Sequence, residues 1–258
     1  EKLRFDFSHN KPVTAKQIQE VQNIVNAQIK ENLSVHTREV ALADAQKING
    51  LRAVFGEVYP DPVRVVSVGP TIDDLLSNPS NAEWVKRSIE FCGGTHLKST
   101  SDAEDFAIIE EVGTAKGIRR VTAVTKGQAR LAFQNANEFS ALIDATAQIS
   151  DLGKLASQLA LLKGLIDDTE KAMPFALREN LRELIVRENK RYLDEKKKAS
   201  AEAAAKAIEQ LSVMCDEATS KSENFLVVNL GEGMDVKVLS ECAQSIAGKG
   251  LSCALFST

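Results

Sequence analysis

Residues 59–70 read Tyr-Pro-Asp-Pro-Val-Arg-Val-Val-Ser-Val-Gly-Pro, and this stretch decides the fold class of the first half of the chain. The prolines at 60 and 62 predict a turn, because they are too close together for a helix or a central strand. Residues 63–68 are rich in valine and stop at Gly69-Pro70, which predicts a strand.

The segments around this strand predict further strands and a helix. Residues 3–7 alternate apolar and charged side chains, which is typical of a half-buried strand, and residues 108–112 and 119–124 predict two more strands. A helix is predicted after Thr14, its expected N-cap. Its apolar face is expected to contain Ile18, Val21, Val25 and Ile29. The first half is therefore predicted to be an α+β unit.

From residue 128 to residue 171 there is no proline, and apolar residues shift to helical spacing. A heptad-like series is formed by Leu152, Leu155, Leu159, Leu162 and Ile166. After Met173-Pro174-Phe175, a similar series is formed by Leu177, Leu181, Leu184 and Leu193. Two long helices joined at this point are predicted to bury these faces against each other as an antiparallel hairpin.

The last segment predicts a strand–helix–strand unit. Two apolar strands are expected at 225–230 and 251–256, with a glycine-containing turn after the first strand and then a helix at 236–246. A connection of this length predicts a parallel pair. We therefore divide the chain into 1–127, 128–221 and 222–258, the last being part of a small α/β domain.

Composition excludes some function classes and leaves others open. The formal net charge of −4 excludes a nucleic-acid binder built on overall positive charge, although not one with a local basic patch. Four cysteines in 258 residues do not make a disulfide scaffold, which favours a reducing intracellular compartment. The sequence contains no phosphate-binding loop of the GxxxxGK type and thus no visible ATP site.

Cys92-Gly93-Gly94-Thr95-His96 is the sharpest local motif. A thiolate and an imidazole four positions apart can bind one zinc ion, and we expect the glycines to remove side chains that would block the turn. The alternative is a glycine turn between a buried cysteine and a surface histidine. The other histidines and cysteines are expected to be surface and core residues, respectively: His9, His36, Cys215, Cys242 and Cys253.

Arg119-Arg120 lies in a predicted strand, where neighbouring side chains point to opposite faces. A guanidinium group matches phosphate oxygens, so either arginine could contact RNA. At least one of the two is expected to pair within the protein.

Four strings in order, at residues 3–7, 50–66, 90–96 and 115–125, resemble the editing domain of alanyl-tRNA synthetases, with the eukaryotic cytosolic type as the best match. The resemblance covers the whole chain. It implies an editing domain, a helical hairpin and the start of a C-terminal tRNA-binding domain of an alanine–tRNA ligase. It also implies cytoplasmic location and tRNA(Ala) as partner. The leucine-rich faces allow self-association through the hairpin or the C-terminal domain.

The resemblance implies hydrolysis of seryl- and glycyl-tRNA(Ala) at a zinc site. Cys92 and His96 match the CxxxH half of the family's four zinc ligands, and the HxxxH half is expected upstream of residue 1. We expect such a zinc ion to position and polarise the ester rather than generate a hydroxide. Arg119 and Arg120 become candidate tRNA contacts. ATP and magnesium are expected only in a separate aminoacylation domain, so this piece should not aminoacylate.

Two alternative functions remain open at this stage. One is a free-standing trans-editing deacylase, which shares the zinc motif. The other is a catalytically silent tRNA-binding or dimerising module, which the leucine-rich faces and the absence of an HxxxH pair from this sequence both allow.

Overall fold

The structure of the chain, a computed structural model, describes residues 2–54, 56–168, 170–230 and 236–257. Helices and strands are mixed along these residues, which confirms the predicted α+β class. The described strands are β1 (Leu3–Ser8), β2 (Val35–Val40), β3 (Val63–Val68), β4 (Ile89–Phe91), β5 (Phe106–Ala115), β6 (Ile118–Thr125), β7 (Phe225–Asn229) and β8 (Ser252–Phe256). The described α-helices are α1 (Ala15–Lys30), α2 (Leu42–Ala45), α3 (Ile72–Ser77), α4 (Lys126–Ala147), α5 (Leu152–Leu165), α6 (Phe175–Ser220) and α7 (Val236–Ala247).

The chain folds into two compact units. One unit contains Glu1–Leu142 and Ile166–Arg182, and the other contains Ile143–Leu165 and Glu183–Thr258. The division falls inside α4 and α6, since each of these helices begins in one unit and ends in the other. The three-part division at residues 127 and 221 stays a prediction. Over the described ranges, none of the helices combines the length and apolarity that a membrane span needs.

The first unit contains an antiparallel sheet in the order β1-β6-β5. Helix α1 packs on this sheet and shares an apolar core with Phe106, Ile108 and Ala123. The helix begins after Thr14, whose hydroxyl oxygen accepts a hydrogen bond from the Gln17 backbone N–H over 3.3 Å. The predicted N-cap is thus confirmed.

The buried face of α1 differs from the predicted face at one position. Ile18 and Ile29 are buried as predicted, whereas Val21 is 48% exposed. Gln22 is buried instead, and its Oε1 accepts a hydrogen bond from the Ile108 backbone N–H over 2.9 Å. The amide is tolerated in the core because this bond satisfies its oxygen.

Strand β1 is more exposed than its alternating pattern predicted. Phe5 is 61% exposed and Leu3 is also at the surface, so the prediction of a half-buried strand is wrong. β1 is an edge strand, and the core of this sheet is formed by α1, β5 and β6. The apolar side chains of β1 are left outside that core.

A second antiparallel sheet of the first unit has the order β2-β3-β4, and β3 confirms the strand predicted at 63–68. Its register places Val65 opposite Phe91 and Val66 opposite Glu90. One face of the sheet packs on an apolar core to which α2 and α3 contribute. That core contains Val40, Ala45, Ile48, Val63, Val65, Ile72, Leu75 and Ile89.

The predicted first helix of the hairpin is in fact two helices. The segment 128–171 divides into α4 and α5, because Asp151 caps a new helix by accepting a hydrogen bond from the Lys154 backbone N–H over 2.7 Å. The α5 series is buried at Leu155, Leu159 and Leu162, as predicted. In α6, however, Leu193 is 55% exposed, so the second series does not continue that far.

The strand–helix–strand prediction near the end of the chain is confirmed. β7 and β8 pair in parallel, with Phe225 opposite Ser252, and α7 lies between them in sequence. The predicted glycine-containing turn at 231–235 lies outside the described residues. The core of this part of the second unit contains Leu211, Cys215, Leu226, Val228, Cys242, Ile246 and Leu251.

Candidate metal centre

The Cys92–His96 motif begins where β4 ends. Ile89 points into the core of the second sheet and is fully buried. Because side chains alternate along a strand, Glu90 lies on the opposite face, and Cys92 follows two positions later. The register continues past β4, since the Cys92 backbone N–H donates to the Arg64 carbonyl oxygen over 3.3 Å. The backbone of the motif is thus anchored to β3.

Three potential metal ligands meet at this position. One carboxylate oxygen of Glu90, Sγ of Cys92 and one ring nitrogen of His96 all lie within 4.8 Å of one another. Glu90 and Cys92 are half-buried, whereas His96 is exposed. Sequence reasoning identified Cys92 and His96 but missed Glu90. The strand period could have found it, because residues i and i+2 of a strand share a face.

Arg64 organises the loop that carries the cysteine. Its Nη1 donates hydrogen bonds to the carbonyl oxygens of Cys92 over 3.1 Å and of Gly94 over 2.5 Å. The Gly94 backbone N–H in turn lies 3.4 Å from Sγ of Cys92, where it can donate to the sulfur. A donor fixed in this way keeps the thiol on the same side of the loop as Glu90.

The glycines of the motif do not act as expected. A Cβ atom added at Gly93 would meet no atom within 4 Å, and one added at Gly94 would meet only Sγ of Cys92, at 3.5 Å. The prediction that the glycines clear space for a tight turn is therefore wrong for this structure. A Cβ atom would fit at either position.

The donor set fits a zinc ion by chemistry. It also fits by distance once the ligand atoms move slightly closer together. Thiolate, imidazole and carboxylate are the three side-chain ligands that zinc binds in proteins. In a tetrahedral zinc site, neighbouring ligand atoms are about 3.5 Å apart. The upper separation of 4.8 Å requires a movement on the order of 1 Å, which the exposed His96 side chain and the open Gly93-Gly94 segment allow.

The remaining histidines and cysteines lie outside this cluster. Among the described residues, Glu90, Cys92 and His96 form the one group of three potential ligands, so His9 and His36 join no such group. Cys215 and Cys242 are buried core residues, and burial together with nearby Glu241 raises the pKa of the Cys242 thiol. Cys253 is half-buried and packs against the same core.

Both arginines of the Arg119-Arg120 pair form bidentate ion pairs. Nε and Nη2 of Arg119 each lie 2.5 Å from a carboxylate oxygen of Glu111, whose side chain is 3% exposed. Arg120 binds Asp6 of β1 through the same two nitrogens over 2.6 and 2.7 Å. This hydrogen bonding raises the pKa of each arginine and lowers that of Asp6. A role of either arginine in tRNA contact stays a prediction.

A cavity of about 760 Å³ lies on the side of β4 to which Phe91 points, opposite the face that carries Glu90 and Cys92. The Phe91 ring packs against Tyr59, with 4.8 Å between the ring centroids. The loop that forms the cavity wall depends on Gly50, which has a φ of +73°. A Cβ atom there would lie 2.7 Å from Cα of Val85, so only glycine fits.

Comparison with known proteins identifies relatives for both halves of the chain. Residues 63–122 match the family described as "Threonyl and Alanyl tRNA synthetase second additional domain". The chain is 34% identical over 252 residues to "Alanine--tRNA ligase, cytoplasmic" of Bombyx mori, covering 95% of the chain and 26% of that relative. It is 56% identical over 149 residues to "Alanine--tRNA ligase, mitochondrial" of Saccharomyces cerevisiae, covering 58% of the chain and 15% of the relative. The chain thus spans about a quarter or less of the length of these relatives.

Proposed function

Because the chain belongs to the alanyl-tRNA synthetase family, we propose that it proofreads for an alanine–tRNA ligase. The reaction is hydrolysis of the ester that joins serine or glycine to tRNA(Ala). The observation that carries this proposal is the convergence of Cys92 and His96 with Glu90 within 4.8 Å, on the part of the chain that matches the editing-associated domain.

A separate hydrolytic site is useful because the site of a ligase that activates alanine discriminates only weakly against serine and glycine. Serine differs from alanine by one added hydroxyl group, and glycine is smaller than alanine. Pockets discriminate weakly against a substrate that adds one hydroxyl group or lacks one methylene, because the free-energy difference is only about 1–3 kcal/mol. A separate site that destroys the mischarged products raises the overall accuracy.

In this proposal Cys92 and His96 hold a zinc ion, which would polarise the ester carbonyl as a Lewis acid. Arg64 keeps the Cys92–Gly94 loop in place through its two bonds to carbonyl oxygens.

Contact with tRNA(Ala), a cytoplasmic location and self-association through α5 and α6 or through the last strand pair are parts of the same proposal. Arg119 and Arg120 are the proposed tRNA contacts. Arg120 is the better placed, because its side chain is 35% exposed, whereas that of Arg119 is 17% exposed. ATP and magnesium would serve a separate aminoacylation domain of the parent ligase.

The test is deacylation of seryl-, glycyl- and alanyl-tRNA(Ala) by the zinc-supplied chain. We expect release of serine and glycine faster than the uncatalysed reaction, with alanyl-tRNA(Ala) spared. Cys92→Ala should reduce release to the uncatalysed rate, whereas Cys253→Ala, a matched cysteine replacement outside the site, should not. Tight binding of tRNA(Ala) without any accelerated release would instead identify a silent tRNA-binding module.

A further inference from the structure

We propose that Asn32 is a positioning residue for His96, and that it acts through the hydroxyl groups of Ser99 and Ser101. Asn32 lies outside the motif that carries the metal ligands, 67 positions from Ser99 in sequence. The inference rests on the proposed function only for the metal that His96 would bind. Ordering of the loop around His96 is a property of the chain itself and can be measured without metal.

The loop that carries His96 is held from two sides. Upstream, Arg64 donates to two backbone carbonyl oxygens of the loop. Downstream, the Val35 backbone N–H donates to the Lys98 carbonyl oxygen over 2.9 Å. His96 is exposed and lies two residues before this second anchor. The position of the downstream anchor therefore limits where the imidazole can reach.

Asn32 completes the downstream anchor with its side chain. Its Oδ1 accepts hydrogen bonds from the hydroxyl groups of Ser99 and Ser101, each over 2.5 Å. Between these serines, Oγ1 of Thr100 accepts from the Leu33 backbone N–H over 2.9 Å. The Thr100 backbone N–H donates in turn to the Leu33 carbonyl oxygen over 2.9 Å. The segment after the metal loop is thus bound to the turn between α1 and β2.

The backbone of Asn32 indicates why asparagine suits this turn. Asn32 has a φ of +55°, in the left-handed region, which glycine adopts freely and which asparagine and aspartate tolerate better than other residues. Asparagine supplies both this conformation, just after the end of α1, and an acceptor for the two serines. Glycine would supply the conformation alone. Replacement by glycine therefore removes the side-chain contacts without straining the backbone.

The first measurement compares Asn32→Gly with Asn32→Asp by NMR in the purified, metal-free chain. Aspartate keeps an acceptor for both hydroxyl groups, whereas glycine removes it. We expect the backbone order parameters of residues 95–97 to fall in Asn32→Gly toward the values of flexible backbone, below about 0.6. In Asn32→Asp they should stay at the wild-type values. Thermal unfolding of each variant checks that the fold is kept.

The second measurement is a cobalt(II) titration, in which thiolate coordination gives a charge-transfer absorption band. Asn32→Gly should raise the Kd about threefold to tenfold, because a loop that is no longer ordered beforehand must be ordered on binding. The matched control is Ser77→Ala, which removes an exposed hydroxyl of α3 that donates to the Asp74 carbonyl oxygen. This control should change the Kd less than about twofold.

The inference is overturned if Asn32→Gly keeps wild-type order parameters at residues 95–97, or if Asn32→Asp loses them to the same extent. A cobalt Kd equal to that of Ser77→Ala, despite a disordered loop, would also overturn it. A fall in loop order in a chain whose wild type shows no Cys92-dependent band would support the positioning of His96. That last result would contradict the metal centre of the proposed function alone.

Discussion

Replacing Arg64 with methionine removes the side chain that holds the Cys92–Gly94 loop. Hydrogen bonds from a charged donor contribute about 1.5–3 kcal/mol each when buried, whereas here the bond to Cys92 is partly buried and the bond to Gly94 is exposed. We therefore expect a total effect of about 1.5–3 kcal/mol on loop order. Without Arg64, the free energy of metal binding is reduced by the cost of ordering the loop. A reduction of 1.4 kcal/mol corresponds to about a tenfold increase in Kd. Arg64→Met should accordingly weaken zinc binding about 10–100-fold.

The assay is a cobalt(II) titration of the purified chain followed by competition with zinc, with Arg38→Met as the matched control. Arg38 lies in β2 of the same sheet, and its Nη1 contacts Asp73 at 2.8 Å in an exposed ion pair. Such pairs contribute little, so Arg38→Met should leave the metal Kd unchanged within about twofold. Equal Kd values for the two variants would refute the positioning role of Arg64. Arg64→Lys should restore only part of the affinity, since an ammonium group lacks the guanidinium geometry.

Three further predictions concern the fold around the site. Gly50→Ala should lower the free energy of unfolding, measured in urea titrations, by about 3 kcal/mol, because a strained φ adds to a clash with the Val85 backbone. The control is Gly56→Ala, where φ is +83° but the space is open, so the loss should be only about 1–2 kcal/mol. Equal losses for the two variants would contradict the clash. Ile89→Ala should cost about 2–5 kcal/mol by leaving a cavity in the second sheet's core, and a loss below 1 kcal/mol would disprove that packing. Arg120 lowers the pKa of Asp6 below its ordinary 3.8, so this pair stabilises the fold above that pH and the contribution fades as the pH falls through the lowered value. Asp6→Asn should thus shift the urea midpoint more at pH 7 than at pH 2, and an equal shift at the two pH values would argue against the linkage.

Sequence reasoning was most accurate where a single local rule acts. Thr14 was predicted as a cap because its hydroxyl needs only the backbone three residues away. β3 was predicted from its valines, which suit a buried strand. The parallel pairing of β7 and β8 followed from the length of their connection. In each case the decisive interaction is close in sequence or is fixed by chain geometry.

The errors arose where a distant partner decides. The burial of Gln22 instead of Val21 depends on an Ile108 backbone N–H that lies 86 residues away in sequence. Internal pairing of at least one arginine was predicted, but the partner of Arg120 was not identified, because Asp6 lies 114 positions away in sequence. The exposure of Phe5 depends on which elements cover the sheet, and local alternation does not report this.

The metal site shows the same division. Cys92 and His96 were found because four-residue spacing is a local pattern. Glu90 was missed because its carboxylate becomes a candidate only once β4 pairs with β3 and places residues 90 and 92 on one face. Arg64 was missed for the same reason, since its contacts to Cys92 and Gly94 span 28 and 30 residues.

The measurement that tests the account most directly is the zinc content of the purified chain by elemental analysis, beside Cys92→Ala and Cys253→Ala. The account predicts about one zinc per chain for the wild type and for Cys253→Ala, and loss of the metal from Cys92→Ala. A wild-type chain that holds far less than one zinc after loading and desalting, or a Cys92→Ala chain that keeps it, would contradict the proposed metal centre.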